Sequence, residues 1–340
     1  MMLLICAMHI SFRICEDQPS LLPETYHPIQ VPAIMGGYNF PMDPWFIFAC
    51  FSALFAGIQS SIQKISIHRG VSTVLVNSYG ALISGTIAFG IFLFRGAIGH
   101  GSLTGYALVF IAGGLYMYGT IARSRSLRSL DTAVVFPTYK SLTLLSTVMG
   151  GILLFNDQLS LLKWLGIIIS ISVPYLLIEI HERHKRRKRS LKEHVHHAGW
   201  FLLYVSIFAG AISALLTKFT VPFFDSMLLF TAVNHFFGGT TGLAQQVYTH
   251  RGNWKKQFLD TRHPHSHLFL LSTVGGASQC ASFFFLLTAL TLGQVSTVFA
   301  INSAYLVFPV LFSLWYYHEH LSIKRILAIF FSVVAVVLLK

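Results

Sequence analysis

Charged residues are scarce in this sequence. Only 11% of the 340 residues are Asp, Glu, Lys or Arg, and 54% are hydrophobic, whereas a soluble domain carries about 25% charged residues. This deficit excludes a water-soluble surface. The apolar residues lie in runs of roughly 20, the length at which an α-helix crosses the hydrocarbon core of a bilayer, and the alternation typical of membrane strands is missing. The composition therefore predicts an all-α membrane protein.

Signatures of catalysis and of nucleotide binding are also missing. The sequence has no His-Glu-x-x-His, no Gly-x-Ser-x-Gly elbow at the end of an apolar run and no phosphate-cradling Walker loop. Four cysteines lack the spacing of metal ligands or of a disulfide framework; they are Cys6, Cys15, Cys50 and Cys280. We therefore expect no enzyme activity, no cofactor, no metal site and no use of ATP by this chain alone.

Positive charge is concentrated between the apolar runs. The formal net charge is +12, and the densest basic segment is 181–197. The positive-inside rule makes this segment a cytoplasmic loop, which could also contact anionic lipid head groups. No folded reader domain accompanies the charge, so nucleic acid is not an expected partner. Applied to all loops, the same rule places both termini outside.

Ten apolar runs predict ten transmembrane helices. Residues 1–44 form an irregular segment, because six prolines between residues 19 and 44 forbid a long helix, and a natural start at Met42 is one hypothesis for this segment. The predicted spans are 45–67, 72–94, 103–123, 130–155, 161–180, 199–219, 224–247, 268–290, 294–317 and 322–340.

An internal repeat divides these spans into two sets of five. Gly113-Gly114 recurs as Gly275-Gly276, and Leu159-Ser160 recurs as Leu321-Ser322, both 162 residues later. The repeats cover 45–180 and 199–340, with 181–198 as a basic linker. Because five is odd, the second repeat enters the membrane from the opposite face. Such an inverted repeat is typical of transporters whose site lies near the bilayer midplane.

Each repeat ends with an acidic turn followed by Leu-Ser: Phe155-Asn156-Asp157-Gln158-Leu159-Ser160 and Tyr317-His318-Glu319-His320-Leu321-Ser322. In the first repeat, Pro137 also precedes Lys140 by three positions. These features resemble the EamA-like ten-helix members of the drug/metabolite transporter superfamily. The resemblance implies a secondary transporter with both termini in the cytoplasm, opposite to the charge bias. It leaves the orientation open.

Lys140 is the leading candidate for a substrate-binding residue. It lies deep in the fourth span, where an ionisable group is costly and usually faces a cavity or a partner; a structural or snorkelling lysine is the alternative. Asn302 occupies the matching place in the second repeat, so a pocket with one charged half is expected. Further candidates for pocket lining, each with interhelical packing as its alternative, are Tyr139, Asn77, Asn234, His235 and Gln279.

No acidic residue lies in the middle of a predicted span. This disfavours exchange of protons for lipophilic cations and favours a neutral, zwitterionic or anionic metabolite, such as an amino-acid-like solute. The leading hypothesis is a permease of the plasma (inner) membrane that works by alternating access. The sequence leaves open whether transport is coupled to a proton or to a counter-solute, and whether the protein is a monomer or a homodimer. The alternative is a non-transporting scaffold or regulator that uses the basic loop.

Overall fold

Helices make up nearly all of the regular structure. The computed structural model describes residues 43–96, 99–126, 129–130, 132–176, 193–249, 265–316 and 323–340. Its α-helices are α1 (Pro44–His68), α2 (Thr73–Phe94), α3 (Leu103–Ser126), α4 (Thr132–Phe155), α5 (Leu161–Leu176), α6 (Glu193–Thr220), α7 (Met227–Thr249), α8 (His265–Leu292), α9 (Val295–Ser303), α10 (Val307–Tyr316) and α11 (Ile323–Leu339). Two short 3₁₀ helices are Val221–Phe223 and Ala304–Leu306.

The helices lie where the apolar runs predicted spans, with one difference. The ninth predicted span, 294–317, is broken into α9, a 3₁₀ turn and α10. Pro309 lacks the backbone N–H that would bond to the carbonyl of Tyr305, one turn earlier, which accounts for the local change of winding. The predictions for residues 1–42, most of the basic loop and the turn 317–322 fall outside the described residues.

Six of the described helices are long and apolar enough to cross a membrane. They include α1, α2, α3, α6 and α8 nearly entire, and α4 from Thr138 onwards. Shorter apolar helices are Leu161–Val173, Val295–Pro309 and Ile326–Leu339. Large apolar side chains on their outer faces are exposed, as expected where lipid replaces water. An all-helical membrane protein is therefore confirmed, whereas the count of ten spans stays a prediction.

Glycines allow the helices at the centre of the bundle to approach closely. A Cβ on Gly113 of α3 would lie 2.6 Å from the carbonyl oxygen of Asn234 on α7. A Cβ on Gly276 of α8 would lie 2.5 Å from the carbonyl oxygen of Gly80 on α2. Small residues at such crossings are the usual means of packing helices in membranes. One glycine of each repeated pair, Gly113 in the first and Gly276 in the second, therefore lies at a close helix crossing.

Hydrogen bonds at the helix ends join the connections that follow every second helix. The carboxylate of Asp225, after α6, accepts from the backbone N–H of His100, between α2 and α3, at 3.2 Å. At other helix ends, Arg125 on α3 donates to Thr249 on α7 at 2.8 Å, and the side chains of Arg69 and His267 are 2.9 Å apart. Two separate sets of ends result: those after α2 and α6, and those after α1, α3 and α7.

The acidic turn after α4 meets the start of α9. Asn156 has a φ of 53°, a left-handed value that Asn tolerates better than most residues. The turn brings the carboxylate of Asp157 to the start of α9, where it accepts from the backbone N–H and the hydroxyl of Ser296 at 2.8 and 2.7 Å. A carboxylate at a helix N-terminus satisfies free N–H groups and complements the helix dipole. Asp157 is therefore an interhelical cap.

Candidate functional site

Lys140 lies about 12 Å along α4, given a rise of 1.5 Å per residue. Its side chain is half-buried. The ammonium nitrogen lies 4.2 Å from the ring centroid of Tyr305 and 5.4 Å from that of Tyr139. Cations are attracted to the faces of aromatic rings, most strongly where water is excluded. The aromatic rings therefore stabilise the charge of Lys140 inside the bundle.

Arg123 on α3 brings a second cation to one of these rings. Its guanidinium carbon lies 4.5 Å from the ring centroid of Tyr139. Sequence reasoning missed Arg123 because the third span was predicted to end there. The helix continues to Ser126, and Arg123 lies in its last turn.

Tyr305 lies in the 3₁₀ turn that separates α9 from α10. Its phenol is hydrogen-bonded to the hydroxyl of Ser60 on α1. The break in the helix thus carries a side chain that contacts both Lys140 and α1. A 3₁₀ stretch inside a longer helix often marks a functional hinge, and this one lies directly beside the leading candidate residue.

Asn302 lies on the same broken helix, three residues before Tyr305. Its amide donates to the hydroxyl of Ser52 on α1 at 2.7 Å, and Ser282 of α8 donates to the backbone carbonyl of Ser52 at 3.0 Å. Asn302 therefore joins α9 to α1. Tyr305, three residues further along the same broken helix, contacts Lys140.

Tyr139 and Asn77 have well-defined partners. The Tyr139 side chain is 7% exposed and packs with Leu203 and Ile207 of α6 in one buried cluster. The amide of Asn77 on α2 accepts from Gln63 on α1 at 2.9 Å. Tyr139 thus touches both cations and the apolar core, whereas Asn77 links two helices.

Asn234 and His235 lie on α7, and Gln279 lies on α8. All three are buried. The imidazole of His235 lies 2.6 Å from the hydroxyl of Ser84 on α2, and its ring centroid lies 4.8 Å from that of Phe283. The Oδ1 atom of Asn234 is buried without a hydrogen-bond partner, and Asn234 lies at the crossing marked by Gly113. A role of the three residues in substrate binding stays a prediction.

A small half-open cavity lies between the ends of α3 and α7. Its volume of about 50 Å³ has room for a few water molecules. None of the residues singled out from the sequence lines it; its lining is Val74, Ile121, Ser124, Arg125, Gln245, Gln246 and Thr249. This cavity therefore belongs to the helix ends, and the candidate site remains the group around Lys140.

Comparison with known proteins supports the assignment to membrane transport. Residues 197–340 match the family described as "EamA-like transporter family", so the resemblance seen in the turns is confirmed for this part of the chain. No curated protein matches significantly. Among solved structures, 28 chains match. One of them, titled only "Crystal structure of protein", is 14% identical, covers 86% of this chain and 94% of its own, and superposes with a TM-score of 0.64. That similarity shows a shared fold.

Proposed function

We propose that this chain, an integral multi-pass membrane protein whose residues 197–340 match the EamA-like transporter family, is a secondary transporter of a small metabolite. The observation that carries the proposal is the placement of Lys140. Its charge lies well inside the bundle and against Tyr305, on the broken helix of the other repeat. An intramembrane charge at such a junction is a natural substrate contact.

Transport proceeds by alternating access between two inverted five-helix repeats. Support comes from quasi-symmetric packing: α3 packs against α7, and its repeat mate α8 packs against α2, the mate of α7. A glycine lies at each of these two crossings, Gly113 on α3 and Gly276 on α8. Two repeats that meet through matched interfaces can exchange roles, and each exchange opens the site to the opposite side.

In the proposed cycle, the site is closed while Lys140 contacts Tyr305. A substrate that binds Lys140 replaces this contact and separates α4 from the broken helix. The 3₁₀ turn provides a place where α9 and α10 change their relative direction. Exchange against a counter-solute or a proton supplies the driving force. The transporter resides in the plasma (inner) membrane, and the 181–197 loop faces the cytoplasm.

Uptake into liposomes tests this proposal. Purified protein is screened against amino acids, organic anions and cationic dyes, and Lys140→Ala is compared with wild type. We expect saturable uptake of one class and a loss of at least about tenfold in Lys140→Ala, because an interaction with a charged group contributes roughly 1.5–3 kcal/mol.

Lys163→Ala is the matched control. Lys163 bonds to the Gln294 side chain at 3.3 Å at the end of the bundle, so its loss should leave uptake within about twofold of wild type. Absence of transport of every solute, from protein that elutes as a single folded species, would instead support a scaffold or regulator in which Lys140 is structural.

A further inference from the structure

We propose that the half-open cavity between the ends of α3 and α7 binds an anionic phospholipid of the surrounding membrane, with the lipid phosphate on Arg125. The inference goes beyond the proposed transport function and does not depend on it, because a lipid site requires only that the helices lie in a bilayer. None of its residues belongs to the candidate site around Lys140.

The cavity supplies space for such a ligand at the depth where phospholipid head groups lie. Its volume is about 50 Å³ and it is half-open, so a larger molecule can enter with one end while the rest stays in the membrane. Arg125 is in the last turn of α3, Thr249 is the last residue of α7, and Val74 is the second residue of α2. Helix termini of a bundle that spans a bilayer lie where the hydrocarbon core meets the head-group region.

The lining of the cavity changes from apolar to polar towards the end of the bundle. On α3, Ile121 is buried, and Arg125, four residues later on the same helix face, is half-buried. On α7, Gln245 is half-buried, and Thr249, again four residues later, is exposed. An amphiphilic ligand fits this order, because its apolar part contacts Ile121 and Val74 while its acidic head lies nearer the water.

The charge of Arg125 favours an acidic head group. Its guanidinium donates to the neutral hydroxyl of Thr249 at 2.8 Å, and the described residues that line the cavity include no Asp or Glu. A guanidinium has five N–H donors in a planar fork, so donors remain for two oxygens of a phosphate group. The amides of Gln245 and Gln246 line the same cavity and can donate further hydrogen bonds.

The expected orientation of the protein brings this cavity to anionic lipid. The positive-inside rule predicts that the arginine-rich end faces the cytoplasm, and basic pockets between transmembrane helices on that side bind anionic head groups. In the sequence, three further basic residues follow α7 closely: Arg251, Lys255 and Lys256. Because α3 belongs to the first predicted repeat and α7 to the second, a lipid in the cavity joins the two.

Thermal stabilisation of the full chain in dodecyl maltoside micelles tests lipid binding directly. The added probes are phosphatidylglycerol, phosphatidylcholine and inorganic phosphate, which separate an acidic lipid from a zwitterionic lipid and from the free anion. We expect phosphatidylglycerol to raise the melting temperature of wild-type protein in a saturable manner, and the other two probes to have little effect. Arg125→Gln should weaken the apparent affinity for phosphatidylglycerol by about fivefold or more.

Three further variants separate binding in the cavity from effects on folding. Arg69→Gln is the matched control, because Arg69 contacts His267 at the same end but does not line the cavity; it should keep the lipid response. Thr249→Val removes the neutral partner of Arg125 and should also keep the response, even if the protein melts at a lower temperature without lipid. Ser124→Leu fills part of the cavity and should reduce the response although every charge is retained.

The proposal is overturned if no probe shifts the melting temperature, or if phosphatidylcholine or inorganic phosphate shifts it as much as phosphatidylglycerol. It is also overturned if Arg125→Gln responds like wild type. Equal losses in Arg69→Gln and Arg125→Gln would show attraction to the whole basic end rather than binding in the cavity, which contradicts the proposal too. These outcomes do not measure uptake, so a failure here leaves the transport proposal standing.

Discussion

At the scale of single residues, consecutive glycines in this protein have unequal roles. Gly113 faces the backbone of α7, whereas nothing lies within 4 Å of a Cβ on Gly114. In the second repeat the order is reversed: Gly276 faces the backbone of α2, while a Cβ on Gly275 meets only Ile62, at 3.6 Å. In each pair, therefore, only one glycine packs against the backbone of a neighbouring helix. The structure shows which one it is, whereas the sequence does not.

Alanine substitutions at the two positions of one pair should have effects of opposite sign. Gly113→Ala places a methyl group 2.6 Å from a backbone oxygen and should lower the free energy of unfolding by about 1–3 kcal/mol. Gly114→Ala meets open space and should raise it by up to about 1 kcal/mol, since Ala favours the helix more than Gly. Denaturant unfolding in mixed micelles measures both. Equal effects of the two variants would contradict the close crossing of α3 and α7.

The candidate site was only partly predictable from single residues. Lys140 was found because a charge far from the ends of an apolar run is conspicuous. Arg123 was missed because an arginine at the edge of such a run is read as a loop residue, although its long side chain reaches back along the helix. Its contact with Tyr139 joins residues on different helices, and no spacing rule in the sequence relates them.

At the scale of helices, apolar run length predicted the bounds well because the hydrocarbon thickness sets the length of each element. The break at Ala304–Leu306 was not predicted. Pro309 was present in the run, but a proline inside a membrane helix can kink it, unwind it or be accommodated, depending on neighbours that replace the lost hydrogen bond. The capping of α9 by Asp157 was equally hidden, because it joins residues 139 positions apart.

This cap predicts a stability change where the turn after α4 meets the start of α9. Asp157→Ala removes both acceptor contacts to Ser296 and should lower the free energy of unfolding by about 1–2 kcal/mol. Ser296→Ala removes the hydroxyl contact to Asp157 and a longer one to the Val148 carbonyl, at 3.3 Å, but keeps the backbone N–H contact and should cost less. The double variant should be less destabilised than the sum of the single variants, because the pair shares one interaction. Additive effects in denaturant unfolding would show that Asp157 acts elsewhere.

At the scale of the whole molecule, the hydrogen bonds between helix ends indicate which connections share one side of the membrane. Connections after α2 and α6 meet through His100 and Asp225, and the turn after α4 meets the start of α9 through Asp157. Connections after α3 and α7 meet through Arg125 and Thr249. Such sorting is expected for helices that alternate in direction, and it places the end rich in arginine opposite the end that carries Asp157 and Asp225.

Charge and family resemblance make opposite predictions for which end faces the cytoplasm. The positive-inside rule places the arginine-rich end inside, and we expect it to prevail because the basic segment 181–197 is predicted from the sequence to lie on the same side. Cysteines at Gly70 and His100, introduced singly into a variant without native cysteines, report the two ends. Gly70 follows α1 and His100 lies between α2 and α3. A membrane-impermeant maleimide applied to intact cells should label His100→Cys and spare Gly70→Cys until the membrane is opened. The reverse pattern would place both termini in the cytoplasm, as the resemblance implies, and would mean that the charge bias does not set the orientation.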